Sequence, residues 1–230
     1  MTTKKVLVTG AGKGIGFEIT RNLLESGHQV LAISRNLTAL KKLQEQYPSI
    51  HILKVDITQE EQLKALTEYI GSHFGTLDIL IHNAGKLINK PFDNTTFQDF
   101  MEVYKVNVFA VAELTRCMLP YLTEGSHVVA ISSMGGVQGS AKFPGLAAYS
   151  SSKGALITLM ELLAEEYKTK GICFNSLALG AVQTEMLRQA FPGYEAPVTP
   201  ERMASYISDF ALKGHEFYNG KVLQVSSSTP

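Results

Sequence analysis

The sequence predicts an α/β fold: one doubly wound parallel sheet of about seven strands, flanked by helices on both faces. Three observations carry that expectation. Short β-rich runs alternate with longer stretches of helical period along the whole 230-residue chain, which is the pattern of repeated strand–helix–strand units. The β-rich runs are nearly unbroken apolar, as strands covered on both faces require. No 20–50-residue repeat and no low-complexity tract interrupts the alternation. Strands are expected at 6–9, 30–34, 50–55, 77–82, 128–132, 172–179 and 222–225. Helices are expected near 15–26, 37–46, 59–74, 96–119, 150–170 and 200–212. Thr58-Gln59-Glu60-Glu61 has the spacing of a capping box, and Gly27 is placed to stop the first helix in a left-handed conformation. The length suits a single domain over 1–230. The segment 180–200 breaks the rhythm with Met186, Leu187, Phe191, Pro192, Gly193, Tyr194 and Pro197. An apolar stretch so interrupted is expected to be a substrate-facing loop.

Composition narrows the classes of function. Twenty-one basic and 21 acidic residues cancel to a formal charge of +0, where a nucleic-acid binder would carry a basic excess or stripe. No window approaches the ~18 unbroken apolar residues of a membrane span. Residues 1–5 run directly into Val6, Leu7 and Val8 with no signal-peptide core, so the expected location is cytoplasmic. Cys117 and Cys173 are too few for a disulfide framework or a zinc site, and no metal site is expected. Charged residues make up 18% of the chain, below the roughly 25% usual for soluble domains. That shortfall hints at exterior covered by another subunit.

The first strand leads into Thr9-Gly10-Ala11-Gly12-Lys13-Gly14-Ile15-Gly16 and then a helix. Glycines in that setting let the backbone turn sharply and approach a pyrophosphate, while the helix N-terminus favours the anion. Thr9-Gly10-x-x-x-Gly14-x-Gly16 resembles the cofactor turn of the short-chain dehydrogenase/reductase family, and the resemblance continues along nearly the whole chain. It implies a Rossmann-like sheet and a cofactor held by Gly10, Lys13, Gly14, Ile15 and Gly16. Asp56, with Ile57 beside it, looks like the family's adenine-contacting aspartate. Asn83-Ala84-Gly85 is similar to its Asn-Ala-Gly motif, and Asn107 falls at its mid-helix active-site asparagine. Ser133, Tyr149 and Lys153 match the catalytic serine, tyrosine and lysine. Gly180, Val182 and Thr184 fall where the family grips the nicotinamide carboxamide and phosphates.

The residues themselves carry a chemistry. Tyr149 and Lys153 lie four apart at the start of an expected helix, so phenol and ammonium face one side. A nearby positive charge is expected to lower the phenol from its usual ~10. The phenol then protonates a carbonyl oxygen as hydride reaches its carbon, or takes the proton back in reverse. Ser133, ending a buried strand, donates to the same oxygen; Ser132 is the alternative serine. The family further implies that Tyr149 and Lys153 touch the cofactor, Lys153 through the nicotinamide ribose, and that Asn107 helps hold a relay water.

The second strand ends Ser34-Arg35-Asn36 with no acid. An acid there would bond a ribose 2′-hydroxyl; Arg35 and Ser34 instead suit a 2′-phosphate, and Lys13 adds a second cation. NADPH/NADP+ is therefore expected in preference to NADH. Four features depart from the family pattern. Ser133 and Tyr149 are 16 positions apart, a few more than usual, with the added residues in 138–145. His82 replaces an asparagine, Leu179 replaces a proline, and the C-terminus is short. The reading is an NADP(H)-dependent carbonyl reductase acting on a small-molecule carbonyl or alcohol substrate, with a pocket of Met186, Leu187, Phe191 and Tyr194 expected to suit a ketone or aldehyde of apolar bulk. The alternative is a non-catalytic NADP(H)-binding regulatory protein on the same fold. Family members commonly form homodimers or homotetramers through the two long helices, here near 96–119 and 150–170.

Overall fold

The computed structural model describes residues 2–226; Met1 and 227–230, which the expected 1–230 domain includes, lie outside the described residues. In chain order the elements are β1 (Lys5–Thr9), α1 (Gly14–Glu25), β2 (Gln29–Ser34), α2 (Thr38–Gln46), β3 (His51–Lys54), α3 (Glu60–His73) and β4 (Leu77–His82). There follow α4 (Phe97–Tyr104), α5 (Ala110–Met118), β5 (Leu122–Ser133), α6 (Ala147–Glu166), β6 (Cys173–Leu179), α7 (Glu185–Ala190), α8 (Pro200–Lys213) and β7 (Val222–Val225). The seven strands form one parallel sheet in the order β3-β2-β1-β4-β5-β6-β7.

Successive side chains of a strand point to opposite faces, and both faces here are apolar. Val6, Val8, Ile79, Ile81 and Val129 enter one core with α1, α2 and α8. Leu7, Leu80, Val128 and Ala130 enter the other with α3, α5 and α6. The unbroken apolar runs of the sequence are thus strands clad on both sides. The outermost strands, β3 and β7, are less buried than those between them. After β1 the chain builds outward to β3; after β4 it builds outward the other way to β7. Connections that leave in opposite directions open a crevice at the C-terminal ends of β1 and β4.

Several local expectations change. Thr58 and Glu61 form no capping box: α3 starts at Glu60 with no side-chain cap, because the Thr58 hydroxyl donates to Asp56 Oδ1 at 2.8 Å. The helix expected over 96–119 is α4 and α5 joined by a π-helical turn, Lys105–Phe109. β5 starts at Leu122 rather than near 128, with its register against β4 shifting after Leu77. The segment 180–200 contains the short helix α7, capped by the Thr184 hydroxyl, which accepts from the Leu187 amide. Gly27 stops α1 as expected, at φ 78°. Cys117 and Cys173 are free thiols and only half-buried.

Candidate active site

The glycine turn leaves β1 and is clamped to the end of β4. Asn83 Nδ2 donates to the carbonyl oxygens of Thr9 (3.0 Å) and Gly10 (3.2 Å). The buried Thr9 hydroxyl accepts from the amides of Asn83 and Ala84, each at 3.0 Å. Gly10 approaches so closely that a Cβ there would sit 2.8 Å from Ala84 Cα, and a Cβ at Gly16 would overlap Asn83 Nδ2. Those two glycines are required by the protein's own packing. Gly14 differs: at φ 57° it is left-handed, and its Cβ would meet only Thr184 Cγ2 at 3.7 Å. It is the glycine that leaves the backbone open to the crevice. Helix α1 begins there with no side-chain cap and no acid in its first turn, so its first amides and dipole are available to an anion.

Three elements bring the expected proton-transfer groups together. Ser133 ends β5, and the short turn Met134–Gly136 lies directly on α6. A Cβ at Gly136 would fall 2.6 Å from the carbonyl carbon of Lys153. Ser132 donates to the Lys153 carbonyl oxygen at 3.0 Å. Ser132 is thereby used in docking α6, and Ser133 is the serine whose hydroxyl acts on the Tyr149 phenol, lowering its pKa against burial. Lys153 Nζ lies 5.7 Å from the Tyr149 ring centroid and donates to the Ile131 carbonyl oxygen at 2.7 Å.

The electrostatics correct one expectation. Burial pushes the Tyr149 phenol up to about 12, and the Ser133 hydrogen bond opposes that only in part. Burial pulls Lys153 down to about 8. The ammonium therefore does not bring the phenol below its usual value here, because desolvation of both groups outweighs their attraction. At neutral pH Tyr149 is a protonated donor.

Asn107 is fully buried in the π turn. Its Oδ1 accepts from the Lys86 amide at 2.8 Å, and its Nδ2 donates to the Lys86 carbonyl oxygen and to Ser152 Oγ, each at 2.9 Å. The side chain is occupied in tying the segment after Gly85 to α6. A Cβ at Gly85 would be 3.6 Å from Asn107 Oδ1 and 3.7 Å from Lys153 Nζ. His82 is a packed residue outside the cavity. Its Nε2 lies 2.9 Å from Thr115 Oγ1, whose proton goes to the Val111 carbonyl oxygen, so the imidazole donates.

A cavity of about 1080 Å³ runs along the C-terminal ends of the strands, above the ~300–1,000 Å³ of ordinary ligand pockets. It brings together nearly every residue expected from the sequence: Gly10, Lys13, Gly14, Ile15, Ser34, Arg35, Asp56, Ile57, Asn83, Ala84, Gly85, Ser133, Tyr149, Lys153, Gly180, Val182 and Thr184. Gly16 and Asn107 stand behind that lining. The Lys13 ammonium, at the cavity lining, pairs with Glu185 of α7 at 2.8 Å. Burial disfavours the Asp56 carboxylate, but the Thr58 amide and hydroxyl, then Arg35 and Lys105, outweigh that and lower its pKa. Thr9, Asn89, Phe143 and Glu185 also shape the site. Thr9 had a signal in its place at the head of the glycine turn, Phe143 in the lengthened 138–145 connection and Glu185 in the interrupted 180–200 segment, whereas Asn89 had none. Among the described residues no group of three His, Cys, Asp or Glu could hold a metal ion, and no helix is long and apolar enough to cross a membrane.

The family model for short chain dehydrogenases matches residues 4–195, and the chain belongs to that family of oxidoreductases. It is 32% identical over 196 residues to hydroxynaphthalene reductase of Aspergillus fumigatus, spanning 82% of this chain and 70% of that protein. It is 33% identical over 184 residues to carbonyl reductase (NADPH) 2 of Sus scrofa, spanning 80% of this chain and 74% of that one. A solved 4-hydroxyisoleucine dehydrogenase, complexed with NADH and succinate, shares the fold at a TM-score of 0.88, 24% identity and 98% coverage of both chains.

Proposed function

We propose that this oxidoreductase is an NADPH-dependent carbonyl reductase in which Tyr149 is the acid, Ser133 the polarising donor, Lys153 the ribose holder and proton source, and Asn107 the positioning residue behind them. The convergence of Ser133, Tyr149 and Lys153 on one cavity, with Lys153 Nζ 5.7 Å from the Tyr149 ring centroid, carries the reading. The residues present fit a nicotinamide dinucleotide. Gly14 and the uncapped start of α1 would hold the pyrophosphate, Asp56 and Ile57 the adenine, and Lys153, Gly180, Val182 and Thr184 the nicotinamide end. When bound, the dihydronicotinamide supplies the hydride that reduces the carbonyl carbon. Tyr149 gives its proton to the carbonyl oxygen, and Ser133 donates a hydrogen bond where the negative charge develops. Lys153, whose pKa near 8 lies within reach of neutral pH, returns a proton to the phenol side of the site. The protonated phenol favours the reductive direction.

Arg35 supports NADPH over NADH, as does the absence of an acid at the end of β2. The name of the Sus scrofa relative includes NADPH, whereas the fold neighbour was solved with NADH. In the same proposal, residues 180–200 form the substrate side of a single catalytic domain.

Replacing Tyr149 with Phe is expected to abolish turnover while NADPH still binds, measured by NADPH oxidation and by enhancement of NADPH fluorescence. Turnover retained in that variant refutes the acid role. A homo-oligomer belongs to the same reading, because Phe97 on α4, Phe109 in the π turn and Leu162 on α6 are 80%, 51% and 61% exposed. Analytical ultracentrifugation is expected to give two or four times the 25.1 kDa chain; a monomer at micromolar concentration refutes it.

A further inference from the structure

In the cavity that Tyr149 lines, one stretch of wall is built by three separate segments. Phe143 comes from the lengthened connection between Ser133 and Tyr149, and Phe191 from the end of α7; both line the cavity. Their ring centroids are 6.4 Å apart and the rings are inclined at 64°, an edge-on pair. Phe143 lines the cavity and remains 48% exposed.

The third segment holds the pair in place. Asn89, after β4, donates from Nδ2 to the Ala190 carbonyl oxygen at 2.7 Å, one residue before Phe191. Its Oδ1 abuts Gly145, where a Cβ would overlap it, and the neighbouring Lys90 amide donates to the Gly145 carbonyl oxygen at 2.9 Å. Asn89 thus rivets the turn that follows Phe143 to the end of the helix that precedes Phe191. The connection carrying Phe143 is also knitted internally. Lys142 Nζ donates to the Val137 carbonyl oxygen at 2.6 Å and to Ser140 Oγ at 2.7 Å. The Ser140 hydroxyl donates to the Met134 carbonyl oxygen at 2.5 Å.

Two of the cations near this wall have partners within the protein. Lys86 pairs with Glu102 and Lys142 donates to carbonyls and a hydroxyl, while Arg188, which also lines the cavity, is felt by Glu185 only as a neighbouring charge. Apolar Leu87, Leu146 and Leu187 complete the lining. A ligand with a flat hydrophobic body meets the two rings best: aromatic faces and edges favour offset or edge-on contact with another ring.

We propose that Phe143 and Phe191, held together by Asn89, form the substrate-recognition wall, and that they select carbonyl compounds whose reacting carbon belongs to a planar or fused ring system. The inference rests on the carbonyl-reductase reading for the reaction, though not for the binding surface. Asn89 acts as a positioning residue, through the two rings.

The test compares kcat/KM for 2-tetralone, a fused-ring ketone, with that for 2-butanone, under saturating NADPH. It is paired with fluorescence titration of 1-naphthol as an unreactive ring ligand. Wild type is expected to prefer 2-tetralone by a factor of about 100. Phe143→Ala and Phe191→Ala are each expected to lower that preference about tenfold, through KM rather than kcat, and to weaken 1-naphthol to the same degree. Phe143→Leu falls between. Asn89→Ala is expected to act in the same direction by a smaller factor, again through KM. NADPH affinity within twofold of wild type certifies each variant as folded. A wild-type preference near one overturns the proposal, as does an equal effect of the Phe variants on both ketones. If neither ketone is reduced, the reductase reading fails. The recognition wall then stands if the Phe variants weaken 1-naphthol, and falls if they leave it unchanged.

Discussion

Lys13 and Arg35 both line the rim of the cavity, and the sequence gives no reason to rank them. The structure does. Lys13 is 69% exposed on its side chain and paired with Glu185 at 2.8 Å. Arg35 is in no salt bridge among the described residues and is felt by Asp56 only as a neighbouring charge. A phosphate that recruits Lys13 must exchange it from an existing partner and gains only the difference, whereas contact with Arg35 forms a new charge-assisted fork. Arg35→Asp is therefore expected to weaken NADPH by about 10–100-fold, the worth of ~1.5–3 kcal/mol for a charged hydrogen bond, and to shift preference toward NADH. Lys13→Ala should cost threefold or less. Dissociation constants from NADPH and NADH fluorescence check both, and a larger loss from Lys13→Ala than from Arg35→Asp reverses the ranking. The residue types at the site were legible because motif spacing fixes which side chains meet. The state of Tyr149 was not: spacing reports that an ammonium is near, while the burial that pushes the phenol to about 12 belongs to the assembled fold.

The helix expected over 96–119 shows how far periodicity reaches. Its apolar positions are real, with Val103, Val111, Leu114 and Met118 all buried, yet the π turn Lys105–Phe109 leaves no trace in that pattern. A π turn adds one residue to a helical circuit and is kept where a site gains from it. Here it aims Asn107 at the Lys86 backbone and Ser152. The capping box at Thr58 was misread for a related reason: its hydroxyl had a second suitor, Asp56, which sequence distance alone does not rank. The gain from the π turn is measurable as stability. Asn107→Ala would leave the Lys86 amide and carbonyl and the Ser152 hydroxyl without this partner inside the protein. Unsatisfied buried groups cost about 1–3 kcal/mol each, so a loss of about 2–4 kcal/mol is expected after partial relaxation. Urea unfolding at neutral pH measures it, and a loss below about 1 kcal/mol means that water or a shifted helix takes over the role of the side chain.

Across the whole molecule, the sheet was legible because strands clad on both faces leave long apolar runs, and seven were read in the right places. The order β3-β2-β1-β4-β5-β6-β7 follows from strand–helix units winding in both directions. The 180–200 segment and the 138–145 connection were legible as breaks in the rhythm, but their meeting was not, since Asn89, Phe143 and Phe191 come together only after α6 and α7 are docked. Nor were the buried histidines as a set, and these make stability depend on acid. His82 and His127 are 1% and 0% exposed. Each is bonded as the neutral ring: His82 donates from Nε2 toward Thr115, whereas His127 donates from Nδ1 to the Ala211 carbonyl oxygen and accepts from Asn175 at Nε2. Burial lowers His82 to about 3 and His127 to about 4 from 6.5. Between these values and 6.5 the unfolded chain binds the extra protons, so unfolding becomes easier as pH falls. Their stabilisation is complete above 6.5 and erodes below it, by up to about 1.4 kcal/mol per pH unit for each histidine. Urea midpoints taken from pH 6.5 to 5, above the range where most carboxylates titrate, should therefore fall steadily, and His82→Asn should remove part of the slope, His127 and the less strongly lowered His28, His51 and His215 supplying the rest. A flat profile over that interval in the wild-type protein would mean that the two rings take up protons in the folded state as readily as in the unfolded chain, which their burial and their bonds forbid.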